Sequence, residues 1–423
     1  MMSMKASTWA RIYGPVVLLV ALITYVAMYV RWPSLAGQVD LLVYRFGAAR
    51  VLAGQDLYSV GLTGNPHTLL FDYPPFAALC SVPLALVPGP VAQVVGLVGN
   101  LALVIYVVRR CLVRLGMTTE AGLWGVGALV TGLVLWLEPV RLSLQLGQVN
   151  LVILAVVVAD LLGSDGRRWA GIGVGIAAGL KLTPALFIVY LLLTGRRRAA
   201  AVASSTFAAT VLLGFAVLPR DSAYFWLRGG FADVARITTD PIANTSLRGL
   251  FVRLHLDGAP STAVTALLVL LALAVAVLSW RRGHQVLGIG IAGMSAAAAS
   301  PFSWSHHWVW LVPLVAHLGH RAYVVRSRSA MAAVWVCSAV FAGWVVVTRG
   351  DTPETGLLAL RPGGAWSAWN VVIPAAYLLG WVIVVAGTAW WLLSRRDVGA
   401  YETAYESETA TTVGAELYPV TRT

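Results

Sequence analysis

Charge is scarce in this chain. Asp, Glu, Lys and Arg make up 11% of its 423 residues, against about 25% in an average soluble domain. A sequence so poor in charge cannot cover a water-facing surface, which excludes an ordinary soluble fold and removes the basis for dividing the length into soluble domains. Cysteine is sparse as well: Cys80, Cys111 and Cys337 stand apart, without the spacing of a metal site or a disulfide framework. The sequence contains no H-E-x-x-H pattern and no obvious internal repeat. Lysine occurs only as Lys5 and Lys181. The net charge of +12 does not point to nucleic acid, because the arginines fall in short clusters between apolar runs rather than along one face.

What fills the chain is apolar. Hydrophobic residues reach 59%, with a mean hydropathy of +0.79. The composition predicts an all-α polytopic membrane protein, each span needing about 20 apolar residues. Apolar segments cover roughly residues 14–30, 90–108, 120–137, 149–163, 199–218, 262–280, 285–299, 307–320, 330–348 and 371–393. Ser34-Leu35-Ala36 mimics a signal-peptide cleavage site, but the run before it is long and Arg31-Trp32-Pro33 intervene, so it is read as a retained first span. Residues 76–88 are apolar but crowded by Pro83 and Pro88, as in a re-entrant or interfacial piece.

Residues 169–195 are long enough for one span, yet Arg167-Arg168 precede them and Arg196 to Arg198 follow. The positive-inside rule places both clusters in the cytoplasm. Two short helices broken at Lys181-Leu182-Thr183-Pro184 satisfy it, giving twelve segments in all. Both termini are then cytoplasmic. Residues 1–395 read as one membrane domain, and the polar stretch 396–423 as a disordered cytoplasmic tail. The outer side receives structured loops at 31–75 and 219–261, the Lys181 break and residues 300–306.

The polar residues of interest gather on that side. Asp40, Tyr44 and Gly47 share one face of a helix, beside an apolar stripe suited to a membrane surface. Asp40 is either a general base or a helix N-cap. Asp72-Tyr73-Pro74-Pro75 stiffens a turn. Gln145, Gln148 and Asn150 either cap a helix entry or bind sugar hydroxyls. Lys181 needs an anion, a water cavity or a route to the interface, and its compact ammonium suits phosphate. Asn244 and Ser246 lie in a sequon-like Asn-Thr-Ser, and Arg248 offers a planar fork to phosphate. In Ser300-Pro-Phe-Ser-Trp-Ser-His-His, the His306 and His307 rings offer N–H donors, and His⁺ can neutralise phosphate. Trp304 either stacks on sugar or anchors at the interface.

The ordered series VDLLVYRFGAARVLAGQDLY, FDYPPFAAL, LGQVNLVIL, GLKLTPALFIVYLLLTGRRRAA, NTSLRGL and SPFSWSHHW resembles glycosyltransferase family 87. These are polyprenol-phosphate-mannose-dependent α-mannosyltransferases of mycobacteria and relatives, in the multi-span GT-C group. The resemblance implies a polyprenyl-phosphate-mannose donor used on the periplasmic side. It also implies a glycolipid acceptor, a phosphatidylinositol mannoside or lipomannan, and an α-1,2 linkage. Membrane lipids would be partners and nucleic acid would not. The catalytic carboxylate maps onto Asp40. Its neighbour is Val39 rather than a second acid, so neither a metal nor another cofactor is expected. Donor-phosphate contacts map onto Lys181, Arg248, His306 and His307. Tyr44, Tyr73, Gln148, Asn150, Asn244, Ser246 and Trp304 are the expected substrate contacts, and residues 76–88 the expected prenyl path. The alternatives are a transporter or flippase for a prenyl-linked sugar, or transfer of another such sugar, arabinose for example.

Overall fold

The computed structural model describes residues 2–65, 67–163, 167–233, 243–342, 346–349, 352–360 and 368–394. The expected tail, 396–423, lies outside them. Helices dominate in chain order: α1 (Met2–Arg31), α2 (Val39–Leu52), α3 (Pro75–Cys80), α4 (Val82–Ala85), α5 (Gly89–Arg114), α6 (Glu120–Leu135), α7 (Glu138–Leu146), α8 (Asn150–Leu161) and α9 (Ile172–Leu180). Then follow α10 (Leu186–Leu193), α11 (Arg197–Val217), α12 (Pro219–Ser222), α13 (Leu247–Arg253), α14 (Ala259–Arg281), α15 (Gln285–Ala299), α16 (Leu311–Tyr323), α17 (Arg328–Val340) and α18 (Ala368–Ser394). The protein is an all-α polytopic membrane protein.

Five helices among the described residues are long and apolar enough to cross a membrane: α1 from Ala10, α5, α11, α14 and α18. A sixth crossing is available if α7 and α8, bent by 119°, count as one. Each of the twelve expected segments contains a helix, but several are short, including α6, α15 and α17. Leucine, isoleucine and valine stand exposed on α1, α14 and α18, as lipid-facing surfaces require.

Two cores form. The larger joins α1, α5, α6, α8 to α10, α14 to α16 and α18. The smaller packs Val43 and Tyr44 of α2 against Leu57, Tyr58, Phe71, Ala77 and Phe225. It is what folds the first loop into a cap: α2 buries Leu41, Val43, Tyr44, Gly47 and Ala48.

The break in residues 169–195 falls at Lys181, whose backbone is extended (φ −153°, ψ 135°) between α9 and a 3₁₀ turn at Thr183–Ala185. Pro184 cannot donate to the carbonyl four residues back, and its ring would strike that carbonyl; this residue is Leu180, the last of α9. One expected span is corrected. Residues 330–348 are not helical throughout: α17 stops at Val340, Ala342 bridges to Leu137, and β1 (Val346–Arg349) pairs antiparallel with β2 (Thr352–Thr355). The run Val346-Val347-Thr348 is β-branched and fits a strand better than a helix.

Candidate active site

A cavity of about 740 Å³ opens between the cap and the bundle. Its wall combines α2, the Asp72–Pro74 turn, the α7–α8 corner, the Lys181 break and the loop that carries the histidines.

Asp40 enters from the first turn of α2. The N-cap of that helix is Gln38, and its side chain makes no capping bond, so the capping alternative for Asp40 does not apply. Asp40 Oδ2 instead accepts a hydrogen bond from Gln148 Nε2. Tyr44 Oη donates to Gln148 Oε1 at 2.9 Å and lies 2.9 Å from Tyr73 Oη, which also donates to Gln148 Oε1, at 3.3 Å. Burial pushes the Asp40 carboxyl up to about 6, against the downward pull of the Gln148 hydrogen bond and the Lys181 ammonium.

Two glycines make this approach possible. Gly47, one turn beyond Tyr44, leaves room for the Phe71 ring, which a Cβ would meet at 2.5 Å. Gly147 ends α7 with φ +67°, and a Cβ there would lie 2.6 Å from Leu41 Cβ. Only glycine both adopts that turn freely and lets α2 sit against it.

On the cationic side, Lys181 Nζ donates to Asn150 Oδ1 at 3.1 Å and lies 2.8 Å from His307 Nε2. It also sits 5.5 Å from the Tyr73 ring centre. When Lys181 is protonated it only donates, and His307 Nε2 then accepts with the ring proton on Nδ1. The Nδ1 atoms of His306 and His307 are both buried without a hydrogen-bond partner among the described residues. Burial, reinforced by the Lys181 charge, holds His306 well below the usual imidazole range. That environment favours the neutral imidazole, which still offers one ring N–H. Trp304 lies nearly parallel to His306, at 15° and 6.3 Å.

Of the residues singled out in the sequence, Asp40, Tyr44, Tyr73, Gln148, Lys181, Trp304, His306 and His307 line this one cavity. Asn150 adjoins it through Lys181, and its amide donates to the His306 carbonyl at 3.0 Å. It thus holds the histidine loop to the lysine. Three residues are not brought there. Arg248 is exposed on α13 and absent from the cavity wall. Ser246 caps α13 by accepting from Gly249 N. Asn244 is buried, donates to Pro301 O and accepts from Ser303 N and Ser246 N. Its side chain is consumed in pinning the loop, which also rules out the sequon reading. Ser246 is taken by a local cap, as short polar side chains often are, while Asn244 is taken by backbone 57 and 59 residues away, which the sequence could not show.

Asp72, which the sequence offers only as a turn residue, lines the cavity. Its position beside Tyr73 ahead of a stiff Pro-Pro was the available signal. The wall also carries Leu142, Leu146, Leu182, Leu186 and Phe302, whereas none of residues 76–88, the expected prenyl path, contributes.

Residues 71–301 match the model of glycosyltransferase family 87. A relative from Mycolicibacterium smegmatis, named polyprenol-phosphate-mannose-dependent alpha-(1-2)-phosphatidylinositol pentamannoside mannosyltransferase, is 33% identical over 91% of this chain and 92% of its own length. A second from that organism, named for phosphatidylinositol mannoside, is 31% identical over 83% of each chain. Its namesake from Mycobacterium tuberculosis is 30% identical over 73% of this chain and 76% of its own.

Proposed function

The chain belongs to glycosyltransferase family 87, and on that premise we propose that it transfers mannose from polyprenyl-phosphate-mannose to a phosphatidylinositol mannoside or its lipomannan extension. The product linkage is α-(1,2). The observation that carries this reading is the shared cavity of Asp40 and the Lys181–His306–His307 group. A base and a phosphate-binding cluster around one space are what transfer from a sugar phosphate requires.

The acceptor hydroxyl attacks the anomeric carbon from the face opposite the phosphate. Asp40 takes the hydroxyl proton as the new C–O bond forms. The bond to phosphate breaks, and its electron pair leaves on the prenyl phosphate. A single displacement converts the β-phosphate into an α-glycoside. Lys181 and a ring N–H of His306 stabilise the departing phosphate, and His307 holds the Lys181 ammonium in place. Trp304 provides a flat face for sugar, and the carboxylate of Asp72 accepts from sugar hydroxyls at the cavity wall. A volume of about 740 Å³ falls in the ordinary range of small-ligand sites. It holds the sugar phosphate and the first isoprene units against Leu142, Leu146, Leu182 and Leu186, and the remaining prenyl chain runs into the bilayer.

The shorter apolar helices complete twelve crossings, with both termini cytoplasmic and the cavity facing the periplasm. The basic clusters at 109–114, 167–168, 196–198 and 281–282 support this orientation. Purified protein incubated with polyprenyl-phosphate-mannose and phosphatidylinositol mannosides is expected to yield an α-(1,2)-extended product by linkage analysis. Donor translocation without bond transfer, or transfer of prenyl-linked arabinose but not mannose, refutes the proposal.

A further inference from the structure

Gln148 is 3% exposed, and both ends of its amide are taken by protein atoms. Oε1 receives the Tyr44 and Tyr73 hydroxyls, and Nε2 faces Asp40. Little of the side chain is left for a sugar, the role its position in the sequence offered. An amide can turn over and exchange its oxygen for its nitrogen at almost no steric cost. Turned over, it would set its oxygen against a carboxylate. The two phenolic donors fix the orientation, because a hydroxyl that donates needs an oxygen opposite it.

We propose that Gln148 is a positioning residue: its amide, aligned by Tyr44 and Tyr73, donates to Oδ2 and thereby keeps Asp40 anionic, leaving Oδ1 free for the acceptor's proton. The inference rests on Asp40 being the base. Its physical content is a balance. Burial favours the neutral acid, while a hydrogen bond donated to the carboxylate favours the anion. The other ionisable side chains on the cavity wall are Tyr44, Asp72, Tyr73, Lys181, His306 and His307; Lys181 is the second group supporting the anion. Nearby arginines are engaged elsewhere. Arg45 of α2 donates to the Leu84 and Val87 carbonyls, and Arg141 of α7 donates to Gln145.

The test is the pH profile of kcat/KM for the full-length protein in lipid nanodiscs, with polyprenyl-phosphate-mannose and a phosphatidylinositol mannoside. Gln148→Leu is expected to move the acidic limb up by about one unit, the scale of one lost charge-assisted hydrogen bond. The rate at pH 5 then falls about 10-fold, while at pH 8 it stays within about 2-fold, since an intact base that is fully ionised needs no help. Tyr44→Phe/Tyr73→Phe, which frees the amide to turn, should shift the limb in the same direction. Gln148→Asn, restoring a donor, should recover part of the shift. A pH-independent loss in these variants, or an unmoved limb, overturns the proposal. Should Gln148→Leu fail to fold, the double tyrosine variant decides by the same criterion. Asp40→Asn separates the two readings: if it turns over normally, the base assignment itself is wrong; if it is dead while the Gln148 limb stays put, only the positioning role is.

Discussion

Asp40 and Lys181 do different things with the same scarcity of water. A buried carboxyl pushed up to about 6 is mostly ionised at neutral pH while remaining a stronger proton acceptor than an ordinary carboxylate, as a general base requires. Activity is therefore expected to fall as pH drops through about 6, because the base is lost on protonation. Asp40→Asn should cut turnover by at least about 10²-fold while donor binding persists, measured by isothermal titration. Its stability effect runs the other way. A folded-state value raised above the unfolded one means the native protein binds more protons between about 4 and 6, so ionising Asp40 costs stability as pH rises through that window. The amide should leave the thermal midpoint at pH 7.5 unchanged or higher. Lys181→Ala should instead raise the donor KM about 10- to 100-fold, the scale of lost bonds to a charged group. Arg248→Ala, exposed and away from the cavity wall, should stay within about 2-fold of wild type in the same assay, in keeping with an ordinary surface substitution. An equal loss in both would show that Arg248 also holds the donor.

At the scale of elements, the site is made by interruptions. α9 ends at a residue that proline prevents from continuing, and the extended Lys181 turns its ammonium toward Asn150 and His307. α7 ends at Gly147, and the next residue is Gln148. Gly147→Ala tests the point. The substitution places a Cβ against Leu41 and forces a positive φ on an L-residue, a cost of about 1–2 kcal/mol before any overlap is relieved. The α7–α8 corner should move away from α2. We expect both a lower thermal midpoint and a loss of turnover with the acidic limb shifted upward, as for Gln148→Leu. A stable, fully active Gly147→Ala protein would show that the close approach is unnecessary.

For the whole molecule, orientation is the property that remains to be tested. With native Cys80 replaced by serine, Ser59→Cys in the first loop should react with a membrane-impermeant maleimide in intact cells, and Arg198→Cys only after permeabilisation. Labelling of both positions in intact cells would reverse the assigned sidedness. The sequence by itself determined the membrane character, most of the helical segments and the break at Lys181 ahead of Pro184. Each follows from composition, or from a steric rule acting over four residues. It also supplied the polar candidates, Asp40, Lys181 and the histidine pair among them. It did not determine which of these would meet. Asn244, Ser246 and Arg248 looked equivalent to Gln148 and Asn150 when read along the chain. Only tertiary packing joined Gln148 to a carboxylate 108 residues away and Lys181 to an imidazole 126 residues away, while it spent Asn244 on the backbone of the loop at 301–303 and Ser246 on its own helix cap. Convergence of this kind depends on which helix faces are buried against one another, and a hydropathy pattern says that a face is apolar without saying which partner covers it.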